Sequence, residues 1–230
     1  MNTFQPIEIL RAIPKILQAF PMTMLILLSS LLFSLLIGAA FAMMSLSRHK
    51  ALNAISKGYV SFMRGIPALI LIFLIYLGLP QLLKQIGVDM SGISLTAYII
   101  ACLSLSVSAN MSEMMRSAYL AVDKGQREAA WSVGMSSTVA FFRIILPQAV
   151  GIAIPTLGNN IIMLFKETSL AFTIGVLDMM GKARAVSSAN YGATKLEIYI
   201  AAGLIFWAFC FLMEKGTRLA EKAYTKGRKT

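Results

Sequence analysis

Charge is scarce in this chain: 13% of its 230 residues are Asp, Glu, Lys or Arg, where a soluble domain carries about a quarter. Histidine is scarcer, with His49 the only one; it follows Arg48 in a basic stretch and reads as a solvated surface residue. One surface histidine and few carboxylates leave no His/Asp, HExxH or acid-pair constellation for a membrane-embedded enzyme. The two cysteines, Cys102 and Cys210, lie in apolar runs without CxxC spacing. They read as small buried hydrophobes, and neither a disulfide framework nor a metal site follows from them. No GxxxxGK[ST] loop is present to cradle phosphates, so the chain itself does not read as an ATP-binding protein. Internal repeats, Pro/Gly/Ser-rich linkers and low-complexity tracts are missing too, which makes residues 1–230 one domain.

What remains is apolar. Hydrophobic residues make up 57% of the chain and mean hydropathy is +0.73, so the bilayer is its solvent. A formal charge of +11 could suggest nucleic acid, but the basic residues sit between apolar blocks and at the C-terminus. That placement fits a membrane surface and excludes a nucleic-acid partner. Spanning ~30 Å of hydrocarbon takes roughly 20 apolar residues in a helix. Five runs qualify: within Ile16 to Ser47, Gly65 to Leu83, Met90 to Ser112, Ile144 to Phe165 with a resumption at Thr168 to Leu177, and Ile198 to Met213. The first contains Ala40-Phe41-Ala42, which resembles a signal-peptidase site, but an uncharged run from residue 16 to 47 is too long for a signal peptide's ~7 to 15 residue apolar core. That segment is expected to stay as an anchor. The predicted fold class is therefore an all-α membrane protein with about five transmembrane helices.

The tail 214–230 carries Lys215, Arg218, Lys222, Lys226, Arg228 and Lys229, and the positive-inside rule places it in the cytoplasm. Five spans then put the N-terminus outside, with the basic loops Arg48 to Lys57 and Arg116 to Arg143 inside. The N-terminal segment 1–20 is external or interfacial: its helix-like pattern from Phe4 to Phe20, with Arg11 and Lys15, suits either a surface helix or a flexible end. Gly38 and Ala42 have the small-xxx-small spacing that permits close helix packing.

Two regions carry functional signals. In the inside loop 117–148, Lys124 to Gly134 (KGQREAAWSVG) precedes Met135 to Ala149 (MSSTVAFFRIILPQA). This reads as two short helices, with Gly134 ending the first, Ser136 or Ser137 capping the second, and Pro147 starting or bending the next span. Ala129 and Ala130 remove bulk so that another protein surface can approach, and Glu128 offers a charge to a basic partner. On spacing alone, an ordinary solvated connector fits as well. In the fourth segment Lys166, Glu167, Thr168 and Ser169 interrupt an apolar run. Rising ~1.5 Å per residue from Gly151, the chain is roughly 20 Å into the bilayer by Lys166, where unpaired charges are costly and functional by default. Pro155, Gly158, Asn159 and Asn160 just before it are expected to loosen the helix and expose backbone groups, as at binding sites built from broken helices. The bland alternative is that Lys166 snorkels to the outer interface with Glu167 paired to it. In the third segment Asn110, Glu113 and Arg116 share roughly one face, with Glu113 and Arg116 reading as an ion pair at the inner mouth.

The order of Arg64 to Pro80 (RGIPALILIFLIYLGLP), KGQREAA, ILPQA and Leu157 to Leu170 (LGNNIIMLFKETSL) resembles the polar amino acid permeases of bacterial ATP-binding-cassette (ABC) importers. The resemblance covers most of Arg64 to Gly175. It implies a type I ABC importer permease fold with a cytoplasmic EAA coupling-helix loop, in the bacterial plasma (inner) membrane. It implies partners: a cytoplasmic ABC ATPase dimer, a second permease copy or homologue, an extracytoplasmic amino acid binding protein and an amino acid substrate. ATP and Mg would sit on the ATPase, leaving no cofactor on this chain. The docking residues implied are Lys124, Gly125, Glu128, Ala129, Ala130 and Gly134. Asp123 departs from the pattern, standing where the family often has Pro. The expected substrate pathway comprises Asn159, Asn160, Lys166, Glu167, Thr168, Ser169 and Glu113, because a neighbouring Lys and Glu complement a zwitterion. An ion-coupled carrier or channel is the alternative, although it would need no docking loop and more paired charges within its spans.

Overall fold

The computed structural model describes residues 4–189 and 192–226. Residues 1–3 of the N-terminal segment and 227–230 of the basic tail, including Arg228 and Lys229, lie outside the described residues. Among those described there is no strand. The helices are α1 (Pro6–Leu17), α2 (Phe20–Leu46), α3 (Lys50–Gly65), α4 (Ala68–Phe73), α5 (Leu79–Gln85), α6 (Leu95–Leu120), α7 (Lys124–Ser132), α8 (Ser137–Ala140), α9 (Leu146–Thr168), α10 (Met179–Ala189) and α11 (Lys195–Lys226). A π-helical turn, Leu74–Gly78, joins α4 to α5, and another, Phe141–Ile145, joins α8 to α9. Five helical stretches are long and apolar enough to cross a membrane: Phe20–Leu46, Ala68–Gln85, Leu95–Leu120, Ser137–Ile174 and Lys195–Tyr224. These are the five runs the sequence predicts, each with shifted ends.

The core forms where α6 is enclosed by its neighbours, with Ile99, Leu103, Val107 and Met111 fully buried. The tightest approach is that of α2. A Cβ on Gly38 would lie 2.7 Å from the Met111 Cβ and 3.0 Å from the Ser108 carbonyl, so only glycine lets the two helices touch there. α3 then doubles back against both. The Ser56 hydroxyl donates to the Phe41 carbonyl (2.8 Å) and the Tyr59 hydroxyl to that of Leu105 (3.0 Å). The Phe41 and Tyr59 rings stack at 3.8 Å. The stretch expected as an inside loop is thus a helix packed along two spans.

At the other side, α9 and α11 meet where glycines on α9 receive larger side chains. Gly151 lies under the Tyr224 ring and Gly158 against Thr217, and the Tyr224 hydroxyl donates to the Pro147 carbonyl. α1 packs on α10 and α11 through buried Ala12 and Ile16. Its start is tied by the Gln5 N–H donating to the buried Glu197 carboxylate (2.9 Å), and beyond its end the Phe20 ring that opens α2 stacks on Phe209 (4.8 Å). α10 is capped by Asp178, which accepts from the N–H groups of Gly181 (2.8 Å) and Met180 (3.2 Å), and the Met179 N–H donates to Thr23 of α2 (3.1 Å).

Candidate functional site: a capped loop after α6 and a polar track along α9

The loop after α6 is organised by its caps. The Asp123 carboxylate accepts from the Gly125 N–H at 2.7 Å, so the residue that departs from the family pattern starts α7 as an N-cap. A Cβ on Gly125 would meet that carboxylate oxygen at 2.8 Å. Gly134, at φ +78°, ends the helix, with the Met135 N–H closing back on the Ala130 carbonyl (3.0 Å). Ser136 caps α8 by accepting from the Val139 N–H. The two alanines part company: Ala129 is exposed, whereas Ala130 is 2% exposed and packs inward. Successive helical residues point about 100° apart, so Ala130 offers no surface to a partner, contrary to the expectation for the pair. Lys124, Gly125 and Glu128 are exposed. Sequence reasoning missed Trp131 and Val133, which are 49% and 73% exposed; a tryptophan in an otherwise polar loop was the available signal.

α7 is held to the spans at two points. The Arg127 guanidinium sits 5.0 Å above the Tyr119 ring of α6, and the Gln148 amide of α9 donates to Gln126 (3.3 Å). Behind it Ala118, Val122, Ile145 and Ala149 form a separate small core with Tyr119 and Phe141 packed around it. This core joins the end of α6 to the start of α9.

α9 itself runs unbroken through Pro155, so the predicted loosening at Pro155 to Asn160 is absent. Proline at 155 has no N–H to donate to the Gly151 carbonyl four residues before it, yet the helix continues across it. Gly158 serves close packing on α11. The irregular backbone lies instead at the two ends, in the π-turn Phe141–Ile145 and in the 3-10 turn Ser169–Ile174 that ends with Gly175 at φ +94°. Along α9, Thr156, Asn159 and Lys166 are exposed on one helical stripe together with Ile152, a track of three polar side chains on an otherwise apolar span. Asn160 turns the other way, its amide 3.8 Å from the sulfurs of Met111 and Met114. It lines a cavity of about 430 Å³ together with Asn110, Glu113, Thr156 and Arg64. The structure therefore brings Asn160 and Glu113 together and adds Arg64, which sequence reasoning left out of the site.

Glu113 and Arg116 form the expected ion pair: Arg116 Nε donates to Glu113 Oε2 at 3.1 Å, and a second guanidinium N–H reaches Oε1. Lys166 and Glu167 do not pair. Lys166 is exposed and lines a shallow cavity of about 290 Å³ with Ser169, Tyr199 and Phe206. Glu167 is half-buried, and its Oε2 is enclosed with no hydrogen-bond partner among the described residues. Thr168 is fully buried and donates to the Phe165 carbonyl (2.7 Å), and Ser169 donates to that of Lys166 (2.6 Å). Both hydroxyls are thus spent on their own helix. Among the described residues no group of three His, Cys, Asp or Glu could hold a metal.

Among the described residues, five helices long and apolar enough to span a membrane, a capped loop between two of them and polar side chains along one span define a helical membrane subunit. The chain belongs to the family of binding-protein-dependent transport system inner membrane components, whose profile matches residues 34–226. In such importers the ATPase is a separate subunit, and this chain is a permease subunit without enzymatic chemistry of its own. It is 39% identical to the probable amino-acid permease protein YxeN of Bacillus subtilis over 230 residues, all of both chains. It is 39% identical to the L-cystine transport system permease protein TcyL of the same organism, over 94% of this chain and 90% of the relative. A crystal structure of an amino acid ABC transporter with histidines superposes with a TM-score of 0.83 at 28% identity, covering 96% of this chain and 99% of the other. The inward-facing MetNI methionine ABC transporter shares the fold, with a TM-score of 0.68 at 16% identity, over 89% of this chain and 95% of the other.

Proposed function

We propose that the chain forms one half of the membrane channel of an ATP-driven amino acid importer, paired with a second permease copy or a homologue. An external binding protein delivers the substrate, and a cytoplasmic ATPase dimer that holds ATP and Mg drives the cycle. The observation that carries this reading is the construction of the loop. Glu128, Ala129, Trp131 and Val133 present a mixed charged and apolar surface, and α7 behind them is fastened to both α6 and α9. A push on α7 therefore reaches two spans at once. The relatives' names, amino-acid and cystine permeases, support the substrate class.

Substrate passes along the α9 track of Asn159 and Lys166 and the cavity of Asn160 and Glu113, with Glu167 and Ser169 at its outer end and the buried Thr168 left out of it. An exposed polar stripe within a span has no suitable partner in hydrocarbon, so water, substrate or a second subunit covers it. The N-terminus is outside and the C-terminus is in the cytoplasm of the bacterial plasma membrane. The test is purification from native membranes together with uptake measurements. The wild-type chain brings an ATPase with it, and Glu128→Arg loses the ATPase and at least about tenfold of uptake, the equivalent of ~1.4 kcal/mol of docking energy. An intact complex with unchanged uptake in that variant overturns the reading.

A further inference from the structure

The largest of the described cavities, about 710 Å³, is not on the α9 track but lies between α2, α3 and α6 at the level of the inner loops. Its lining includes Lys57, Ser61 and Arg64 from α3, Asn53 at the base of that helix, and Glu113 and Arg116 from α6. We infer that this cavity is a binding site for an oxyanion, a phosphate or a carboxylate group.

The charge balance is the first support. Three cations face one carboxylate, and both oxygens of that carboxylate are already engaged by Arg116. Neither Lys57 nor Arg64 has a carboxylate within ion-pair distance among the described residues. The pair is brought together by helix geometry, since Lys57, Ser61 and Arg64 at i, i+4 and i+7 share one face of α3. α3 cannot turn that face away, because Ser56 and Tyr59 fix it to α2 and α6 through the hydrogen bonds to Phe41 and Leu105. Two unneutralised cations held at a partly enclosed cavity attract an anion more strongly than two cations on an open surface.

The other side of α3 is apolar. Leu52, Ile55 and Phe62 are 38%, 57% and 56% exposed, an apolar strip directed away from the cavity on the same helix. That strip marks α3 as a helix flanked by acyl chains, so the headgroup phosphate of an acidic lipid of the same leaflet is one source of the anion. A free phosphate or the carboxylate of an amino acid in the cytoplasm offers the same chemistry from the aqueous side.

The experiment uses the chain in its complex purified from native membranes, reconstituted in phosphatidylcholine nanodiscs, with thermal unfolding as the readout. Three arms are compared at constant ionic strength: discs doped with phosphatidylglycerol, added inorganic phosphate, and added L-glutamate, each against added chloride. The midpoint is expected to rise in at least one arm. A rise with phosphatidylglycerol alone assigns the site to lipid, and a rise with phosphate or glutamate assigns it to a soluble anion. Lys57→Gln and Arg64→Gln are each expected to shrink the rise and together to remove it. Should the double variant fail to assemble, exposed Lys57 alone provides the comparison. A midpoint that responds to none of the three anions, or a rise that survives in the variants, overturns the proposal.

Discussion

Asp178 is a carboxylate fully buried between the 3-10 turn and α10. Burial pushes its carboxyl up to about 6 from an ordinary 3.8, against the pull of the N–H groups of Gly181 and Met180. A carboxyl whose pKa is higher in the folded chain binds its proton more tightly there than in the unfolded chain. Stability therefore falls as pH rises from about 4 to about 6 and levels off above that window. Asp178→Asn, which keeps a capping side chain, is expected to flatten this slope; thermal unfolding in pH steps that gives identical slopes for both proteins would refute the assignment. Glu167 is the other residue with an unsettled carboxylate, since its Oε2 is enclosed without a partner. Glu167→Ala and Lys166→Ala are each expected to abolish uptake or change substrate selection while the complex still assembles. Ordinary transport kinetics in both would remove these residues from the pathway. Their separate directions, one exposed and one enclosed, could not be read from two adjacent letters, because the neighbours that decide it come from α10 and α11.

Among the elements, the spans were legible because a run of apolar residues of the right length has one physical solution in a bilayer. α3 was not, because Lys50, Lys57 and Arg64 give it the look of a loop. Its contacts with Phe41, Leu105 and Ser108 depend on α2 and α6 being in place. The continuity of α9 was hidden too: Pro155 announces a break, and the helix runs through it to Thr168. The meeting of Asn160 with Glu113 is likewise a product of helix packing, and no spacing within either segment encodes it. The close approach of α2 to α6 is an intermediate case: the small-xxx-small spacing at Gly38 allowed close packing without naming a partner, and the structure supplies it in Met111 and Ser108 of α6. Gly38→Leu is expected to cost about 3 kcal/mol or more by overpacking, read as a lower unfolding midpoint and less assembled complex. A variant as stable as the wild type would mean that the helices are free to part. For α7, Trp131→Ala is expected to weaken ATPase association by about 2 kcal/mol, as removal of a buried aromatic anchor does. Titration of the purified ATPase onto the reconstituted permease measures it, and unchanged affinity would place Trp131 outside the interface.

At the scale of the whole molecule, the proposed orientation follows from charge placement and from an odd number of spans. Both ends of it are testable by labelling. With Cys102 buried and Cys210 half-buried, a cysteine at Lys84 is expected to react with an impermeant maleimide in intact cells, and one at Lys222 only after the membrane is opened. The opposite pattern inverts the topology. The five spans are also unequal partners in the fold. α6 is enclosed on most sides, whereas the second span, α4 to α5, leaves Ile70, Leu74, Leu77 and Leu82 half or more exposed and is interrupted by a π-helical turn at Leu74–Gly78. A helix that touches so little of its own chain draws its order from whatever surrounds it. On extraction into detergent, its amides are therefore the ones that exchange with deuterium first, while those of α6 remain protected. The choice of solubilising agent then decides whether an isolated subunit still has five spans or only four.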